Sequence, residues 1–92
     1  MAFVYRVHAI ERMFQRDISE EEVEDVIRFG ETIESYPNDK PYASYLVLGL
    51  VDNRAVHVVY AKDEKNTVII ITVYEPTLKK WYESFKIRRE KK

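Results

Sequence analysis

"YASYLVLGLVDNRAVHVVYAK", residues 42–62, decides the fold. Two runs rich in Val, Leu and Tyr flank Asp52-Asn53, a dipeptide that accepts the positive φ a two-residue hairpin turn demands. The stretch reads as a β-hairpin. Downstream, "DEKN" turns the chain into "TVIIITVYE", residues 67–75, a strand of β-branched residues that Pro76 stops. Upstream, "ETIESY" at 31–36 reads as another strand, closed by the turn-rich "PNDKP".

Ahead of the strands the hydrophobic period is helical. In "HAIERMFQRDI", residues 8–18, a helix from about Val7 to Gln15 places Ile10, Met13 and Phe14 on one core-facing stripe. His8, Arg12 and Arg16 recur at four-residue spacing on a second stripe, where like charges repel slightly whenever the histidine is protonated. "DISEEEVEDVIRFG" carries its own start and stop. Ser19 and Glu22 form a capping box, and the acidic first turn complements the helix dipole. Val23, Val26 and Ile27 make the buried stripe, and Gly30 is expected to end the helix in the left-handed conformation. "AFVYRV" at the start reads either as a short strand or as the lead-in to the first helix. After Pro76, Leu78, Trp81, Tyr82 and Phe85 have the spacing of a buried helical face.

Helices followed by strands imply an α+β fold. The expectation is two N-terminal helices packed on an antiparallel β-meander of three to four strands, with a short C-terminal helix, in a single domain spanning residues 1–92.

The chain is 46% hydrophobic, enough for a small core, and its 16 acidic and 15 basic side chains nearly cancel. Their distribution is uneven. Residues 17–25 hold Asp17, Glu20, Glu21, Glu22, Glu24 and Asp25 without a base, while Lys79, Lys80, Lys86, Arg88, Arg89, Lys91 and Lys92 crowd the end. A basic tail suits nucleic acid or an acidic partner, or is simply a solvated terminus. With no cysteine there is no disulfide or thiolate chemistry. No apolar run has the length of a bilayer span, and no signal peptide is visible, so a cytoplasmic location without membrane association is expected.

Two histidines can titrate near neutral pH. With an even-numbered turn at 63–66, Lys62 faces Thr67, His57 faces Thr72 and Ala55 faces Tyr74. His57, Thr72 and Tyr74 then share one side of the sheet. The histidines lie some fifty residues apart with no HxxxH pair, so neither a metal nor another cofactor is expected. Gly30 and Gly49 stand alone, which leaves no phosphate-cradling glycine loop. Imidazole, guanidinium, hydroxyl and phenol together suit RNA cleavage by its own 2′-hydroxyl: one group takes the hydroxyl proton, another protonates the leaving oxygen, and cations hold the phosphate. His8, Arg12, His57, Thr72 and Tyr74 are the catalytic candidates; Arg16 and Arg54 are candidates for binding substrate. Against this stand two plainer readings: His57 as a hydrogen-bonded core residue, and the cationic stripe as a solvated helix face.

"HAIERMFQRDISEEEVEDVI", "LVLGLVDNRAVHVVYA" and "IIITVYEP…KKWYESF" together resemble the domain-of-unknown-function family 4258, over nearly the whole chain. The helix motif falls on His8, Arg12 and Arg16, the strand histidine on His57, and the ending on Thr72, Tyr74, Glu75 and Pro76. Where that family usually has glycine after the second arginine, this chain has Asp17, which tolerates a left-handed backbone. The family is regarded as related to RelE-like and BrnT-like toxins, an assemblage that includes metal-independent ribonucleases. The resemblance implies a RelE-like α+β fold and a role in a toxin–antitoxin pair. Two functions stand from sequence: a metal-independent endoribonuclease acting on RNA and held by an antitoxin protein, or a non-catalytic interaction module. Homodimerisation through an exposed strand edge is compatible with either.

Overall fold

A computed structural model describes residues 2–89. Lys91 and Lys92 of the basic tail lie outside the described residues. The chain runs β1 (Phe3–Tyr5), α1 (Val7–Arg16), α2 (Glu20–Phe29), β2 (Glu31–Tyr36), β3 (Ser44–Val51), β4 (Arg54–Lys62) and β5 (Val68–Tyr74). The strands form one sheet in the order β1-β5-β4-β3-β2. The β2–β5 part is the expected meander, but "AFVYRV" contributes a fifth strand, and β1 pairs with β5 in parallel, so the sheet is mixed. The two helices connect β1, at one edge of the sheet, to β2 at the other.

The hairpin is as expected. Asp52 and Asn53 take φ values of 50° and 64°, and β3 and β4 pair without interruption from Ser44–Ala61 to Val51–Arg54. The next connection departs from the even-numbered turn. Five residues, Asp63–Thr67, separate β4 from β5, with Asn66 left-handed and the Asp63 carboxylate accepting from the backbone N–H groups of Lys65 and Thr67. Lys62 therefore pairs with Val68, and a bulge then leaves Ile71 without a partner. The odd turn and the bulge each shift register by one residue. Their sum is a slide of two, which preserves the face: His57 lies opposite Tyr74, and Val59 opposite Thr72.

Both helices cover one face of the sheet. Ala9, Met13, Ile18, Val23 and Val26 pack there against Val47, Val51, Val56, Val58, Val68, Ile70 and Val73. At ~1.5–3 kcal/mol for each well-buried aliphatic side chain, this cluster is the main source of cohesion. The Ser19–Glu22 capping box forms with both hydrogen bonds, and Asp17 takes the left-handed conformation (φ 55°, ψ 50°) that separates the helices. Gly30 does not: its φ is −79° and ψ −176°. It is glycine because a Cβ there would lie 2.4 Å from the Val26 carbonyl oxygen and 2.5 Å from that of Leu48. The expected stripe of α1 is also rotated. Ala9 and Met13 face the sheet, while Ile10 is half exposed and Phe14 is 89% exposed. A small Ala9 lets the helix backbone approach the strands closely.

The opposite face is covered by residues 77–89, which form turns and an isolated bridge between Trp81 and Arg88 in place of the expected helix. Of the anticipated apolar face only Trp81 is fully buried; Leu78 and Tyr82 are about half exposed. Polar links hold this strap to the sheet. Lys86 pairs with Glu31 at 2.8 Å and Arg88 pairs with Glu34 at 3.2 Å, while within the strap the Arg89 side chain donates to the Leu78 carbonyl at 2.7 Å. Glu31 and Glu34 are three apart and would ordinarily point to opposite faces. A bulge between Thr32 and Glu34 turns both toward the strap. Among the described residues no helix is long and apolar enough to cross a membrane.

Candidate functional site

β1 pairs with Val68–Ile70, so among the described residues Ile71–Tyr74 of β5 have no strand on their outer side. The chain leaves β1 through Arg6, whose N–H still donates to the Ile70 carbonyl at 3.0 Å, and α1 runs along that free edge. A cleft of about 440 Å³ opens at the seam between α1, β5 and the strap. His8 and Arg12 line it from the helix, Thr72 and Tyr74 from the strand, Glu75 from just beyond its end, and Lys80, Trp81 and Arg88 from the strap. Four of the five candidate catalytic residues thus reach one open surface from elements distant in sequence.

His57 is the fifth, and it lies beneath the cleft, 0% exposed. Its ring packs edge-on against Trp81, with centroids 4.5 Å apart, and against Tyr74 at 5.2 Å. Leu48 is its partner on β3. Nε2 is 2.8 Å from the Phe85 carbonyl oxygen, which can only accept, so Nε2 carries the proton. Burial lowers the His57 pKa, with the Phe85 carbonyl partly opposing and Arg88 reinforcing the shift, and the ring is neutral. Nδ1 is then an acceptor, and the Tyr74 hydroxyl donates to it at 3.1 Å. Burial also raises the Tyr74 pKa, so the phenol keeps its proton. The plain reading of His57 as a hydrogen-bonded core residue describes its surroundings well. Its one route to the cleft is through the Tyr74 oxygen.

The two candidates for binding substrate fall outside the lining. The Arg54 guanidinium donates to the carbonyls of Arg16 and Asp17 at 2.9 and 3.5 Å, closing the C-terminus of α1, and lies 3.6 Å from Glu75. Arg16 is 3.8 Å from the same Glu75 carboxylate. Both arginines therefore offset Glu75, the single carboxylate lining the cleft among the described residues, where α1 meets the end of β5.

Lys80 and Arg88 are site residues that sequence spacing did not single out. The signal was present only as the excess of base after residue 78. Arg88 stacks its guanidinium 4.6 Å from the Trp81 ring centre while pairing with Glu34. Arg12 and Lys80 form no ion pair among the described residues, and both face the cleft. Two uncommitted cations beside an imidazole make a surface that favours an anion. Among the described residues no three His, Asp or Glu side chains cluster as metal ligands.

No curated protein and no solved structure matches the chain. Residues 5–75 match the family described as Domain of unknown function (DUF4258), a span that includes His8, Arg12, His57, Thr72, Tyr74 and Glu75 but stops short of the strap. The chain belongs to the DUF4258 family.

Proposed function

We propose that this protein is a metal-independent endoribonuclease, related to the RelE-like and BrnT-like toxins and controlled in the cell by an antitoxin protein. The observation that carries the reading is the convergence of His8, Arg12, Thr72 and Tyr74, with Lys80 and Arg88, on one open cleft. An RNA phosphodiester seated there meets Arg12, Lys80 and Arg88 as counter-charges and the Thr72 hydroxyl as a donor.

The hydrogen-bond chain from Tyr74 through His57 to the Phe85 carbonyl supports a proton path. The 2′-hydroxyl passes its proton to the Tyr74 oxygen as the Tyr74 proton moves to His57 Nδ1. The Phe85 carbonyl supports the resulting imidazolium at Nε2. The 2′-oxygen attacks phosphorus, the bond to the 5′-oxygen breaks, and protonated His8 delivers a proton to that leaving oxygen. The products are a 2′,3′-cyclic phosphate and a free 5′-hydroxyl. His57 acts as a base by way of Tyr74, and His8 is the acid.

The test is digestion of RNA in the presence of EDTA with identification of the ends. Cyclic phosphate termini are expected. Tyr74→Phe, His57→Ala and His8→Ala should each lower the rate by about 10²–10⁴-fold. Undiminished cutting by both the His8 and His57 variants removes the mechanism.

A second reading, a non-catalytic interaction module, draws support from the sealed position of His57 and the apolar side chains that α1 exposes. It expects no cutting of any RNA and a stable complex with the product of a neighbouring gene.

A further inference from the structure

α1 shows three faces. Ala9 and Met13 point into the core, His8, Arg12 and Arg16 lie on the cationic side, and Val7, Ile10 and Phe14 form a third stripe turned to solvent. Those three are spaced i, i+3 and i+7, one continuous ridge about 10 Å long. Their exposures are 71%, 48% and 89%. At its C-terminal end the ridge runs into a shallow hollow whose floor is Met13, Phe14 and Ile18 and whose rim carries Asp17, Glu22 and Asp52. No cation lines that hollow, and none of the three carboxylates forms an ion pair among the described residues. The Arg54 guanidinium, which reaches the Asp17 carbonyl at 3.5 Å, is committed to backbone carbonyls and to Glu75.

We infer that this ridge and its acidic end form a docking surface for a basic amphipathic helix of a protein partner. Three apolar side chains at helical spacing match the anchors of a helix laid along another helix. The carboxylates select lysine or arginine on its flank. The same charge argues against two copies meeting through this face, because a symmetric contact would bring six carboxylates together around one apolar patch. The surface lies on the side of α1 away from the cleft, so docking does not require RNA cleavage; a chain without nuclease activity would carry it equally.

Titration of the full chain with a synthetic amphipathic helix, leucine on one face and lysine on the other, tests the inference by NMR and calorimetry. Shifts should centre on Val7, Ile10 and Phe14, and a version with glutamate in place of lysine should not bind. Phe14→Ser should weaken binding at least tenfold. Asp17→Asn, Glu22→Gln and Asp52→Asn together should weaken it comparably and flatten its salt dependence. All three suit their backbone positions, since asparagine accepts the left-handed conformation and glutamine retains the capping box. Glu21→Gln with Asp25→Asn, elsewhere on α2, should leave binding unchanged. Three results would overturn the inference. One is equal binding of the glutamate peptide. Another is perturbation centred on the other apolar hollow, between Phe29 and Phe85. The third is a homodimer that Phe14→Ser converts to monomer, which would show that a second copy covers the ridge.

Discussion

The two faces of the sheet are closed by different means. On one side, two capped helices press aliphatic side chains onto Val56, Val58, Val68 and Ile70, and this core cluster contains no polar residue. On the other, an irregular strap is held by one tryptophan, two ion pairs and a histidine whose two nitrogens are both hydrogen-bonded. Apolar area is non-directional and tolerates small shifts, whereas hydrogen bonds and ion pairs hold only in one geometry. The candidate cleft sits where the two faces meet. Its helix-borne groups are set by the aliphatic core, and Lys80 and Arg88 by the strap. The helical side supplies cohesion, and the strap side supplies placement.

The largest expected effect tests whether the strap is part of the fold. Trp81 is 2% exposed and packs on His57, so Trp81→Ala should cost about 3–5 kcal/mol in chemical denaturation. A loss within about 0.5 kcal/mol, the range of ordinary surface substitutions, would demote the strap to decoration. On the helical side, Gly30→Ala should cost about 1–3 kcal/mol, because a Cβ would strike two backbone carbonyls that cannot yield. A neutral result there would mean that α2 sits farther from β3 than described.

A smaller effect separates the polar face from the apolar one by pH. Burial sets the folded pKa of His57 below its unfolded value of about 6.5. The unfolded chain therefore binds more protons at mildly acid pH. The stability that neutral His57 contributes is complete above about pH 6.5 and is lost as pH falls through the folded value. Thermal midpoints between pH 7 and 5 should fall more steeply for the native chain than for His57→Gln. Parallel curves would break the assignment of a buried, neutral ring. Smallest of all, Phe14→Ser should change stability by no more than about 0.5 kcal/mol, since that ring is almost wholly exposed. A large loss would place Phe14 in the core that the periodicity of α1 suggested.

Local rules were legible wherever one residue's neighbours along the chain supply the physics. Ser19 and Glu22 cap a helix by bonds three residues apart, Asp52-Asn53 turns a hairpin, and Asp17 breaks a helix. Legibility fell where the deciding contact is remote. Gly30 was read for its backbone freedom, but it is required by the closeness of Val26 and Leu48. Phe14 joined the expected core stripe because periodicity defines an apolar arc, while the roll of the helix within that arc is chosen by Ala9 against the sheet. The cleft was half legible. His8, Arg12, Thr72 and Tyr74 were in view, but Lys80 and Arg88 were not, because nothing local indicates where an irregular segment will lie.

From sequence alone came the two helices and the four strands that follow them, the Ser19–Glu22 cap, the Asp52-Asn53 hairpin, and the residue types able to move protons and hold a phosphate. These are consequences of short-range sterics and periodicity. Only the tertiary structure decided that β1 joins the sheet in parallel, that a bulge keeps His57, Thr72 and Tyr74 on one side, and that the strap seals His57 and leaves Tyr74 at the cleft. Each of those depends on groups far apart in the chain meeting at hydrogen-bond distance, and no periodicity encodes that distance.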